Sequence, residues 1–165
     1  MLTFAPTSHG DLVVATPRGL WIADHRSTAA GPAADEPPGR LLTWEIIVTA
    51  RWTGDVLMVT PSQEVAPQIM SRLPTIILPL PDPADLPRVV RQRVDRSVAV
   101  SHRRALSAQS TVLLVGRRVS GRDGLLWYAI FDQDSDAADP AACRQATALL
   151  ECAAAAHAPA NPDAG

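Results

Sequence analysis

The sequence predicts an α+β fold built on antiparallel sheets, with about seven or eight strands, a short internal helix and a C-terminal helix. Three observations carry this expectation. Two strand-rich runs are each followed by a segment of helical period, and the strands within each run are joined by short turn-rich connections such as "TPRG", "TGD" and "SGRDG". The βαβ alternation of a parallel sheet does not occur, nor does a repeat of fixed period. A curved sheet or partly open barrel closed by helix would bury the apolar faces. At 165 residues the chain is long enough for one domain with a real core. Residues 11–157 are expected to form it, between a disordered N-terminus at 1–10 and a disordered tail at 158–165.

Taken in order, "DLVVATPRGLWIAD" gives two strands, Leu12 to Thr16 and Leu20 to Asp24, around a Pro-Arg-Gly turn. The stretch "HRSTAAGPAADEPPG", residues 25–39, has no apolar period and many breakers, and is expected to be a mobile loop. "RLLTWEIIVTARWTGDVLMVTPS" places β-branched and aromatic residues on both sides of Thr53-Gly54-Asp55, a second hairpin. In a regular strand Trp44, Ile46 and Val48 would share one face. "QEVAPQIMSRLP" is poorly patterned, and "TIILPL" reads as a further strand whose Pro79 suits an edge.

The period then changes. Leu86, Val89, Val90 and Val94 fall on one face of an amphipathic helix that Asp85 can cap and that ends near Ser97. "SVAVSHRRAL", "TVLLVGRRV" and "LLWYAIFDQ" follow as three strands. Asp139 and Pro140 then read as N-cap and first residue of the closing helix "AACRQATALLECAAAAH". Cys143 and Cys152 lie nine residues apart in that helix, about 13.5 Å along its axis at ~1.5 Å per residue, too far for a disulfide. No cysteine or histidine spacing suggests zinc, and no metal or cofactor is expected. The start of the sequence lacks the pattern of a secretory leader, and no apolar run reaches the ~18 residues of a membrane span. A cytoplasmic protein without a transmembrane segment is expected.

The pattern "LVVATPRGLWIAD" followed by "LLTWEIIVTARWTGDVLMVT" resembles bacterial pleckstrin-homology-like domains. In these a strand pair precedes a Trp-centred strand and a W-x-G-D/G-x-L-x-V hairpin. "LPRVVRQRVDRSVAVSHRR" with "VGRRVSGRDGLLWYAIFDQDSDAADPAA" is similar to an uncharacterised small-protein family of high-GC Gram-positive bacteria, and together the likeness covers most of residues 11–157. The resemblance implies a split β-barrel closed by a helix, and a binding or assembly role instead of catalysis. Phosphoinositide-binding members carry several basic residues around the first hairpin turn, where this chain has Arg18 alone.

Charge is unevenly distributed. Residues 1–85 carry five arginines against nine acids, 86–122 nine against Asp95 alone, and 123–165 one against seven, for sums of −4, +8 and −6. All fifteen basic residues are arginine, the bias expected of a high-GC genome. The basic middle could steer an anionic partner, or be a solvated surface balanced by the acidic ends. On a helical wheel with Leu86 at zero, Arg88, Arg91 and Asp95 lie opposite the apolar face. Arg93 falls at about 340°, inside that face, where a guanidinium must snorkel, pair with a carboxylate or meet a bound anion. In the strands, pairing of 98–106 with 111–119 would cluster some of Arg103, Arg104, Arg117 and Arg118, a grouping suited to bidentate recognition of phosphate or carboxylate. These five arginines are the candidate contacts for an anion or a partner.

Other constellations point away from chemistry. Asp132, Asp134 and Asp136 are spaced like the start of a calcium loop, but positions 137 and 143 are Ala and Cys where an EF-hand needs Gly and Glu. The four histidines are scattered, and GxSxG, HExxH, P-loop and GxGxxG motifs are missing. Trp21, Trp44, Trp52 and Trp127 all fall in predicted strands, as core or as contact residues beside arginines. The expectation is therefore a non-catalytic, pleckstrin-like interaction or assembly module with a protein partner. The alternative is an anion-binding domain that takes nucleic acid or an acidic lipid surface on the arginine-rich region 88–122.

Overall fold

A computed structural model describes residues 3–23, 39–106, 110–119, 121 and 123–157. The protein is α+β, and its chain gathers into two compact units, Met1–Ser62 with Leu73–Ser97 and Gln63–Arg72 with Val98–Gly165. The stretch 11–157, expected as one domain, contributes to both. Most of the expected loop at 25–39 and the whole tail from 158 lie outside the described residues.

The first unit opens on a four-stranded antiparallel sheet in the order β1 (Thr3–Pro6), β2 (Leu12–Ala15), β3 (Gly19–Ala23) and β4 (Gly39–Thr43). Thr3–Pro6, expected within a disordered N-terminus, is held because all four residues pair with β2 and Ala5 is fully buried. The expected hairpin of β2 and β3 forms. Its turn is fixed by Thr16, whose hydroxyl accepts from the amides of Arg18 and Gly19 at 3.2 and 3.0 Å. Trp44, expected in a strand, lies instead in a turn between β4 and β5 (Ile47–Thr53). The reason is visible in its contacts: the buried indole N–H donates to the carbonyls of Thr16 and Pro17 at 3.1 and 3.2 Å, tying one turn to the other.

β5 pairs with β6 (Val56–Ala66) through a two-residue loop in which Gly54 has φ +58°, a left-handed conformation that glycine adopts without a steric cost. β8 (Ile76–Pro79) pairs with β6 on its other side. Helix α1 (Leu86–Ser97) buries Leu86, Val90, Val94 and Ser97 as its sequence period requires. Leu86, Val90 and Val94 join Val13, Leu20, Leu42, Ile47, Leu57 and Val59 in the core of this unit.

The second unit holds the end of β6, β7 (Ile69–Arg72), β9 (Val98–Ala105), β10 (Thr111–Arg117), β11 (Leu126–Phe131), the short α2 (Asp134–Ala137) and α3 (Pro140–Ala156). The poorly patterned "QEVAPQIMSRLP" is strand here. Ile69, Met70 and Ser71 are all buried, so β7 shows no alternation, as befits a strand between two neighbours and covered on both faces. β7 runs parallel to β11, a departure from the purely antiparallel expectation. The chain thus has eleven strands and three helices among its described residues, against about seven or eight and two. The expected cap of α3 is present, Asp139 accepting from the amide of Ala141 at 2.9 Å with Pro140 at the first turn. Ala142, Ala146 and Leu150 of α3 pack on Val112, Leu114, Trp127, Ala129 and Phe131. Cys143 and Cys152 are free thiols. No described helix is long and apolar enough to cross a membrane.

Candidate functional site

The pairing of β9 with β10 is as expected, and strand alternation keeps neighbouring candidate arginines apart. Arg103 lies across from Leu113 and Arg104 from Val112, so the two project to opposite faces of the sheet. Arg117 shares the face of Leu113 and Arg103 but stands four residues further along β10, about 13 Å at ~3.3 Å per residue. It is only 1% exposed and offers no surface to a dissolved anion. Arg118, just beyond β10, is exposed, as is Arg104. Arg93 is half-buried on α1, on the wheel between buried Ser97 and half-buried Val89, where a snorkelling side chain sits. Within the second unit, Arg103, Arg104 and Arg117 thus do not share one exposed anion-binding surface.

What gathers arginines instead is Asp132, one residue past β11. Its carboxylate meets Arg72 of β7 at 2.9 Å and Arg103 of β9, and accepts a long hydrogen bond from Thr111 of β10 at 3.5 Å. One acid thus joins the ends of four strands of the second unit. The sequence placed Asp132 in a calcium-like series. The structure turns it to arginine, and no group of three metal-ligating side chains occurs among the described residues. Asp136 of that series accepts from the hydroxyl of Ser110 at 3.0 Å. With Asp139 it lines a polar cavity of about 250 Å³ beside the start of α3.

The solvated face of α1 is more organised than its wheel suggests. Arg88, Arg91, Gln92, Asp95 and Arg96 line a groove of about 520 Å³. Arg88 pairs with Asp85 at 3.3 Å and Arg91 with Asp95 at 3.7 Å, both pairs open to solvent. Such pairs contribute little to stability. Their guanidiniums remain available to a stronger anion.

An apolar surface feature lies on the four-stranded sheet. One face of β1 to β4 is the core of the first unit. On the other, the register lines up Phe4, Val14, Trp21 and Leu41 in a single row across all four strands, with Leu12 in the next row. None of these five belongs to the buried core; Phe4 is 63% and Leu12 39% exposed. The only charged residue in the four strands, Arg40, pairs with Ile22 on the core side, which leaves Thr43 as the polar member of the outer face. Trp21 packs against Gly39, where a Cβ would come within 2.7 Å of its ring. Sequence reasoning passed over this row. Its signal was the unbroken apolar runs "LVVA" and "LWIA", since a sheet with one wet face alternates and one covered on both faces does not.

No protein family, curated protein or solved structure matches this chain.

Proposed function

We propose that this chain is a non-catalytic, cytoplasmic, pleckstrin-homology-like module that works by protein contact, as an interaction or assembly domain. The observation that carries the reading is the uncharged outer face of β1 to β4. Its row of apolar side chains crosses four strands, with Phe4 exposed, Val14, Trp21 and Leu41 half-buried, and Leu12 exposed in the next row. Contiguous exposed apolar surface of this kind marks interaction sites in soluble proteins, and a Trp flanked by Phe and Leu is the residue type that dominates contact energies.

The test is photo-cross-linking in cells with p-benzoylphenylalanine in place of Phe4, and in place of exposed Arg51 as control. A discrete protein adduct from position 4 and none from position 51 is the expected result. The absence of any adduct from position 4 would overturn the reading.

A second reading, an anion-binding domain for nucleic acid or acidic lipid, is favoured by the arginine-lined groove on α1. It requires binding to labelled DNA, RNA or anionic liposomes that weakens steeply from low to moderate salt. Changing Arg88, Arg91 and Arg96 to Ser would abolish that binding, whereas changing Arg103, Arg104 and Arg118 would not.

A further inference from the structure

We infer that His102 and His157 form a binding site for a divalent transition-metal ion at the C-terminal end of α3, with the two imidazoles as protein ligands and water in the remaining positions. This site lies wholly within the second unit and is independent of the interaction reading. The two histidines are far apart in the chain, so no ligand spacing marks them in the sequence.

The fold brings them together. α3 packs on the sheet face formed by Val112, Leu114 and Trp127. His102 of β9 stands directly across from Leu114 and projects to that same face, while His157 caps the C-terminus of α3 above it. The two ring centroids are 6.2 Å apart, with their planes tilted by 43°. With metal–nitrogen bonds of ~2.0–2.1 Å and a ring nitrogen roughly 1.1 Å from its centroid, one shared ion holds two imidazole centroids about 5 Å apart at the tetrahedral angle and about 6.3 Å apart in line. The observed separation lies inside that span, and a movement of about 1 Å by the exposed His157 ring reaches the tetrahedral arrangement.

The His157 ring is also set in a ligating tautomer. Its Nδ1 lies 2.9 Å from the carbonyl oxygen of Ala153. A carbonyl can only accept, so in the neutral ring Nδ1 carries the proton and Nε2 the lone pair. Metal-bound histidines make this same outer hydrogen bond, which fixes the ring and raises the basicity of the ligating nitrogen. Among the described residues no hydrogen bond engages the His102 ring.

The surroundings accept a cation. The last carbonyls of α3 place the negative end of its dipole at His157, and buried Trp127 seats the imidazole from the sheet side with centroids 5.1 Å apart. Arg104, two residues along β9 on this face, is exposed and its charge is screened by water. Two imidazoles suit Zn²⁺, Cu²⁺ or Ni²⁺ and not the oxygen-seeking Mg²⁺ or Ca²⁺. No group of three ligating side chains occurs among the described residues, so the ion keeps water positions and binds reversibly.

Calorimetric titration of the reduced full chain with Zn²⁺ at about pH 7.5, above the ordinary titration of an imidazole, tests this. One ion per chain, no heat from Mg²⁺ and a melting temperature that rises with Zn²⁺ are expected. H102A and H157A should each weaken Zn²⁺ binding at least tenfold and abolish the melting shift. Metal-free melts show whether each variant folds; should H157A fail, H102A carries the test, because β9 ends its sheet. C143S/C152S, which removes both thiols, and H9A/H25A, which removes the other two imidazoles, should bind like the wild type. X-ray absorption at the zinc edge should show two imidazole ligands. No Zn²⁺ binding up to about 1 mM, binding undiminished in folded H102A, or binding lost with the thiols would overturn the inference.

Discussion

Asp132 meets Arg72 and Arg103 in settings different enough that their energies should separate. Arg72 and Asp132 are 25% and 32% exposed with their atoms at 2.9 Å, whereas Arg103 is 51% exposed. At an effective dielectric of about 20, unit charges ~4 Å apart attract by about 4 kcal/mol. Desolvation and the ordering of a long side chain remove most of this, leaving about 1–2 kcal/mol for the mostly buried Arg72 pair. Solvent screening holds the Arg103 pair to about 0.5 kcal/mol or less. Double-mutant cycles with D132N, R72Q and R103Q, read by urea unfolding, should return these two coupling energies. In 1 M NaCl, where the screening length is about 3 Å, the Arg103 coupling should vanish and the Arg72 coupling largely persist. Equal couplings, or loss of both in salt, would refute the assignment of Asp132 as a partly buried tie between strand ends.

Three further outcomes follow from particular residues. Arg93→Glu should lower the melting temperature clearly more than Arg91→Glu, because Arg93 flanks the buried face of α1 and Arg91 stands in solvent; equal melting temperatures would contradict that placement. Gly39→Ala should destabilise by about 1–3 kcal/mol, since its φ is +156° and its Cβ would meet both the Trp21 ring and the Ile22 carbonyl oxygen at 2.7 Å; urea unfolding checks it. Trp44→Phe removes a donor from two carbonyls and should cost about 1–2 kcal/mol by thermal melts, with Trp52→Phe as the milder comparison.

What the sequence made legible follows from which interactions are local. The β2–β3 and β5–β6 hairpins, α1 and the cap of α3 depend on turn residues, apolar period and capping within a few positions, and all formed as expected. β7 escaped because a strand covered on both faces has no alternation to read, and its parallel partner β11 lies some sixty residues away. Trp44 escaped because its hydrogen bonds reach the turn at Thr16 and Pro17. The arginines show the same limit: that β9 pairs with β10, and that neighbouring Arg103 and Arg104 take opposite faces, could be foreseen, but that Arg117 would be buried could not. Asp132 became an arginine partner only through the alignment of four strand ends. The apolar outer face was legible in part, as runs without alternation, but the straight row from Phe4 to Leu41 needed the register of three strand pairs.

The most direct test of the account is the cross-linking profile of the full chain in cells, with p-benzoylphenylalanine placed in turn at Phe4, Leu12, Arg51 and Arg91. Contact through the outer sheet face predicts discrete protein adducts from positions 4 and 12 and none from 51 and 91. Adducts from position 91 alone, or from none of the four, would contradict it.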